Sequence, residues 1–273
     1  MKKFAKSSIM ALLSSSLLML SACAPQNPSN TEVEGDGVVG GTTVVPGSQL
    51  SRQVFMIYTV SRSGGGTCTA TMISNTVGLT AAHCVDGFVR GYAIFSIDAV
   101  GVLNKAADRQ ALLQNSRVAP IKTVRVHPAW RGTINGKNNG DLALFSLASA
   151  KPSDIEVTRF YNGTLRKGDR LVVSGYGVIS GSLGFGSGLL REARVRVLNP
   201  NVSETEFGVD QTRAQGVCNG DSGGPAFVIS PFGRLEQAGV VSYGEEGCDQ
   251  NGVYTNPVAY LSWINRTMQS LSY

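Results

Sequence analysis

The chain has 273 residues, of which 42% are hydrophobic and 16% charged, and it contains 33 glycines. That length and composition suit one or two globular domains with a sizeable core and exclude a disordered or fibrous chain, while low charge and abundant glycine favour short strands over a helical bundle. The net charge of +5 overstates the basicity, because without the lysines before Cys23 only 21 basic residues face 19 acidic ones, and nothing in that balance argues for nucleic acid.

Lys2, Lys3 and Lys6 precede an apolar run over residues 9–20 that is too short to span a bilayer and ends in small residues, the pattern of a secretory signal. The ending Leu20-Ser21-Ala22-Cys23 resembles the bacterial lipobox, in which cleavage before the cysteine leaves a thiol that is acylated with lipid. Residues 1–22 are therefore expected to be a lipoprotein signal peptide, with Cys23 as the lipidation site. Residues 23–37, rich in Pro, Asn, Ser, Thr and Glu and without apolar periodicity, are expected to form a flexible tether that serves as a propeptide. Of the 5 cysteines, four then remain: Cys68, Cys84, Cys218 and Cys248 suffice for two disulfides in an oxidising compartment.

The folded domain is expected to start at Val38 and to run over residues 38–273. Short β-prone runs separated by turn signals cover residues 53–60, 69–73, 93–97, 121–126, 142–147, 170–175, 191–198, 225–229 and 237–241. Their spacing predicts an antiparallel sandwich or barrel. Residues 181–188 contain four glycines and are expected to form a mobile surface loop. One long helix is predicted at the end of the chain, where Val258, Leu261, Trp263, Ile264 and Met268 recur at mixed helical spacing. No internal sequence repeat is visible.

Cys218-Asn219-Gly220-Asp221-Ser222-Gly223-Gly224-Pro225 places a serine among glycines. A nucleophilic serine needs an exposed hydroxyl with backbone N–H groups aimed at the oxyanion, and glycines let the chain turn tightly there. A base must come from one of the 2 histidines. His83, in Thr80-Ala81-Ala82-His83-Cys84, stands beside a cysteine that a disulfide would pin. His127 precedes Pro128 in an apparent turn and reads as an ordinary surface or core residue. Asp141 opens an apolar run in Gly140-Asp141-Leu142-Ala143-Leu144, where a buried carboxylate would orient an imidazole; alone, it reads as a turn aspartate.

Together these segments resemble the trypsin-like serine peptidases of the chymotrypsin fold. The motifs occur in that family's order: Val38-Val39-Gly40-Gly41, the segments around His83, Asp141 and Ser222, then Ser242-Tyr243-Gly244 and Gly252-Val253-Tyr254. The resemblance implies an all-β fold of two six-stranded antiparallel barrels with a C-terminal helix. It implies a triad of Ser222 as nucleophile, His83 as base and Asp141 as orienting carboxylate, an oxyanion hole from the N–H groups of Gly220 and Ser222, and no metal or cofactor. It further implies disulfides Cys68–Cys84 and Cys218–Cys248, and activation by cleavage before Val38, whose new ammonium pairs with Asp221. Substrate is expected to contact Gly216 at the pocket floor, Val217, Asn219, Ser242, Tyr243, and the walls Gly244 and Gly252.

Glycine at position 216, where enzymes cutting after Lys or Arg carry Asp, favours apolar side chains of large or medium size. Asp249, with Glu245 and Glu246 near the rim, reads as a solvated acidic loop, although an inward Asp249 would admit a basic side chain. The expected partners are protein or peptide substrates, an activating protease and, through Cys23, a membrane; a monomer is expected. The localisation expected is a bacterial cell envelope, with release to the periplasm or the extracellular space on activation. The competing readings are a catalytically silent binding protein on the same fold, or an adhesin whose glycine-rich loops present a surface.

Overall fold

The computed structural model describes residues 38–62, 64–132, 139–178, 186–213, 215–245 and 247–271. The expected signal peptide and tether lie outside the described residues, as do residues 181–185 of the expected surface loop. Arg191-Glu192-Ala193-Arg194-Val195-Arg196-Val197 shows how the strands form: the small and apolar residues turn inwards and Arg194 and Arg196 outwards, the period of two that a strand with one buried face requires.

Six strands close the first barrel: β1 (Val54–Ser61), β2 (Gly64–Met72), β3 (Val77–Thr80), β4 (Phe88–Ile94), β5 (Val118–Val126) and β6 (Ala143–Leu147). Around the ring they run β1-β2-β3-β6-β5-β4, all antiparallel. The second barrel uses β7 (Arg170–Gly175), β8 (Arg191–Ser203), β9 (Glu206–Asp210), β10 (Pro225–Ile229), β11 (Leu235–Gly244) and β12 (Asn251–Thr255). Its order is β7-β8-β9-β12-β11-β10, the first barrel's order repeated six strands later. The architecture is the expected one of two closed six-stranded barrels.

Each barrel has its own core. Phe55 packs its ring 4.5 Å from Phe95 and 6.3 Å from Phe145 in the first, and Phe207 stacks on Tyr254 at 5.3 Å in the second. A third cluster joins them, with Met56 and Ile94 of the first barrel against Val172 and Phe227 of the second. Tyr176 crosses the same seam, its hydroxyl donating to the Ser96 carbonyl at 2.8 Å.

Several elements differ from expectation. β3, β9 and β12 are short and were not anticipated from local pattern, and β8 continues beyond residue 198 through Pro200 because the register shifts between Val197 and Ser203. A bulge frees proline from the donor role it cannot fill. Three short helices, α1 (Gln49–Gln53), α2 (Ala99–Lys105) and α3 (Arg109–Gln114), are each started by a side-chain cap from Ser48, Asp98 or Asp108. The predicted terminal helix is α4 (Leu261–Leu271), which follows a single 3-10 turn, Pro257–Tyr260. It inserts Ile264 and Leu271 into the first barrel's core. His127 serves this contact, with its ring 4.6 Å from Tyr260 and 4.9 Å from Trp263.

The two barrels also share a buried hydrogen bond, from the Thr71 hydroxyl on β2 to Gln237 Oε1 on β11, at 2.8 Å. Thr71→Val keeps the shape but leaves a buried acceptor without this donor, a change that costs about 1–3 kcal/mol. Urea unfolding of the variant should show a midpoint lowered accordingly, and an unchanged midpoint would show the bond to be dispensable.

Candidate active site

Thr80 of β3 pairs with Ala143 of β6, so the chain leaving one strand and the chain entering the other meet at one end of the first barrel. His83 and Asp141 stand on those two segments, which is why residues far apart in sequence come together. Asp141 is completely buried. Its Oδ1 accepts from the His83 backbone N–H at 3.0 Å, while Oδ2 lies 2.8 Å from His83 Nδ1 and accepts from the Ser242 hydroxyl at 2.6 Å. The second barrel thus supplies one of the donors, and Thr255 adds a hydroxyl bond to the Asp141 carbonyl at 3.3 Å. Converging donors are what allow a carboxylate to remain charged without water. Because Oδ2 can only accept when ionised, Nδ1 carries the hydrogen and Nε2 is left as the basic atom of the ring. The His83 side chain keeps 30% of its surface exposed.

Ser222 lies on the loop that leads into β10 of the second barrel, yet the first barrel holds that loop. Thr69 of β2 donates its N–H to the Ser222 carbonyl at 2.9 Å and its hydroxyl to the Gly220 carbonyl at 3.0 Å. Gly220 and Gly223 have φ of +97° and +78°. A Cβ on Gly223 would stand 2.6 Å from the Thr69 carbonyl oxygen and 2.8 Å from the Ala81 nitrogen, so only glycine lets the loop rest on the first barrel. The N–H groups of Asp221, Gly223 and Gly224 are held by carbonyls of Cys218, Val241 and Asp221. Among the described residues, none accepts from the N–H groups of Gly220 or Ser222.

Beneath the loop, Asp221 is fully buried, and its carboxylate accepts from the N–H groups of Gly177 and Cys218, both at 2.8 Å. Burial pushes its pKa up to about 7, against the two N–H bonds and the Arg191 guanidinium, which pull it down. Val38 is also fully buried, packed in the second barrel's core, and holds φ of +43°, a region that a β-branched residue rarely enters. Disulfides join Cys68 to Cys84 behind the histidine and Cys218 to Cys248 beside the serine loop. His83 lies close to both sulfurs of the first bridge, but a disulfide offers no thiolate to a metal.

His83 and Ser222 open onto one cavity of about 360 Å³, shared with Val217, Asn219, Ser242, Tyr243 and Gly244 of the expected substrate contacts. Gly216 and Gly252 are both buried and are not among the residues that line the cavity, and the side chain of Gln211 occupies the space beside them. Asp249 is exposed and stands outside the cavity, whereas Glu245 lines its mouth, with its Oε1 accepting from Asn251 Nδ2 at 3.2 Å. Glu246 lies outside the described residues. A second cavity of about 580 Å³ opens on the other side of His83, walled by Trp130, Asp86 and the Cys68–Cys84 bridge. Thr69, Thr255 and Gln211 had no sequence signal, since a threonine in a strand or a glutamine after one is unremarkable until the partner segment is known.

The family model described as Trypsin matches residues 38–264. The chain is 29% identical over 253 residues to the fibrinolytic enzyme isozyme C of Lumbricus rubellus, covering 83% of this chain and 98% of that one. It is 28% identical over 233 residues to a trypsin-like protease of Streptomyces glaucescens, covering 80% and 78% of the two chains. Among solved structures, neuropsin, a serine protease expressed in mouse brain, superposes with a TM-score of 0.64 at 20% identity over 84% of this chain and 98% of that one. The matched span takes in both barrels, the histidine, the buried aspartate and the serine loop, and the chain belongs to the trypsin family.

Proposed function

We propose that the protein is a serine endopeptidase working through Ser222, His83 and Asp141. The observation that carries this reading is the Ser242–Asp141–His83 hydrogen-bond chain, which presents a basic Nε2 to the cavity that holds the serine. In the reaction, His83 Nε2 takes the proton of Ser222 as its Oγ attacks the scissile carbonyl, and Asp141 stabilises the imidazolium. The uncommitted N–H groups of Gly220 and Ser222 receive the developing oxyanion, which preorganised donors stabilise most strongly. His83 then protonates the leaving amine, and a water activated by the same nitrogen releases the acyl group. Beyond Val241 the neighbouring strand has ended and Ser242–Gly244 borders the cavity, so an extended peptide can pair there as an added strand. Cavities on both sides of His83 suit a substrate that continues past the scissile bond in both directions.

The protein is made, in this reading, as a zymogen activated by cleavage of the Gly37–Val38 bond. Two features support it. Asp221 is a buried carboxylate whose only bonded partners among the described residues are N–H groups, and a new ammonium at Val38 would supply a full counter-charge. The φ of Val38 exists only while residue 37 is attached, so cleavage also abolishes a strained torsion of about 1–3 kcal/mol. The lipobox-like sequence places the uncut chain on a bacterial envelope membrane through Cys23. With both disulfides inside the domain, nothing covalent would then retain the cut enzyme, which acts as a soluble monomer. No basic residue lies between Cys23 and Val38, so the activating protease is not one that cuts after Lys or Arg.

Ser222→Ala should abolish hydrolysis of peptide substrates, and His83→Ala should lower kcat by several orders of magnitude, with the fold retained by circular dichroism. Undiminished activity in Ser222→Ala would refute the assignment. For the uncut chain, the raised pKa of Asp221 means that the folded state holds a proton which the unfolded state has released between pH about 4 and 7. Stability should therefore fall as pH rises through that window, by up to about 1.4 kcal/mol per pH unit. Asp221→Asn should remove this slope in urea titrations of the precursor, and cleavage before Val38 should remove it too. Cell fractionation with N-terminal sequencing should find active enzyme beginning at Val38 in the soluble fraction; active, uncut enzyme on the membrane would refute release.

A further inference from the structure

We infer that Gln211 closes the deep end of the primary specificity pocket and confines the enzyme to small and medium aliphatic residues on the acyl side of the scissile bond. The inference rests on the peptidase reading and adds to it a substrate class. Gln211 follows β9 and is completely buried. Its Nε2 donates to the carbonyls of Val217 and Cys248, both at 3.2 Å, and its Oε1 accepts from the Val217 N–H at 2.9 Å. Swinging the amide away would leave these buried groups unpaired, so the side chain is a fixed wall.

Gly216 and Gly252, on the two segments that flank this amide, lack side chains and so leave a space between them. Gln211 fills that space: a Cβ on either glycine would collide with its carboxamide. The cavity that reaches Ser222 is lined by Val217 and Cys248, the residues whose backbone Gln211 holds, and neither glycine is among its lining residues. With Gln211 as its floor, the pocket would stop a benzyl side chain or an extended basic one short of full length. Among the described residues a lysine or arginine would also find no carboxylate at depth, since Glu245 stands at the exposed mouth and Asp221 lies behind the Cys218 backbone, held by its N–H. A buried cation without a partner is strongly disfavoured.

The test uses the full chain after activation, with active sites counted by a fluorophosphonate, and peptide nitroanilides that differ only in the residue before the scissile bond: Ala, Val, Leu, Phe or Arg. The expected kcat/KM for Ala and Val exceeds that for Phe and Arg by roughly tenfold or more, the scale on which pocket fit discriminates. Gln211→Gly should raise the Phe to Val ratio by about tenfold or more. Gln211→Leu, which keeps the bulk and drops the amide, should preserve the wild-type ratio even if every rate falls. A wild type that favours Phe or Arg, or a glycine variant with an unchanged ratio, would overturn the inference. If Gln211→Gly does not fold, the wild-type and Gln211→Leu profiles still decide. Full fluorophosphonate labelling with the wrong profile would sink only the pocket assignment, whereas no labelling and no turnover would sink the peptidase reading with it.

Discussion

A single buried carboxylate governs the geometry of this molecule. Asp141 has no access to water, and an ionised group in that position is tolerable only if donors are delivered to it from fixed directions. His83 provides two of them from the first barrel and Ser242 provides another from the second. Both barrels must therefore be folded and correctly docked before the charge is satisfied. The His83 imidazole is oriented by the same bonds that reward docking, so assembly of the fold and assembly of the candidate site are one event.

The serine loop obeys a related rule about N–H groups. Those of Asp221, Gly223 and Gly224 hold the loop in shape by bonding to nearby carbonyls, and Thr69 fastens the loop's own carbonyls to the first barrel. The Gly220 and Ser222 N–H groups are not needed for that purpose. The loop can thus keep its shape whether or not an oxyanion is present, which is what electrostatic preorganisation demands. Positive φ angles at Gly220 and Gly223 shape the loop in which this division occurs.

What was legible in the sequence was whatever is encoded within a few consecutive residues. The settings of His83, Asp141 and Ser222 are local strings, and the long strands announce themselves by alternation, as in residues 191–197. β3, β9 and β12 each carry a glycine that blurs the local pattern, and their conformation depends on neighbours supplied from elsewhere in the chain. Gln211 illustrates the same limit at the site. Its identity is plain, but its role arises from two glycines, five and 41 positions further on, that the fold brings around it. The matching strand order of the two barrels is equally silent in the sequence, since barrel closure constrains the inward pattern of apolar residues and not which apolar residue is used.

The terminal helix crosses back to the half of the molecule made first. Ile264 and Leu271 seal the core of the first barrel, although the entire second barrel is synthesised between that barrel and the helix. The first barrel cannot finish its hydrophobic interior while the ribosome is still making the second one. An emerging chain consequently lacks this part of the first barrel's core until α4 is available. A product truncated before α4 accordingly retains the segments around His83, Asp141 and Ser222 but lacks the two side chains that complete the core beneath them.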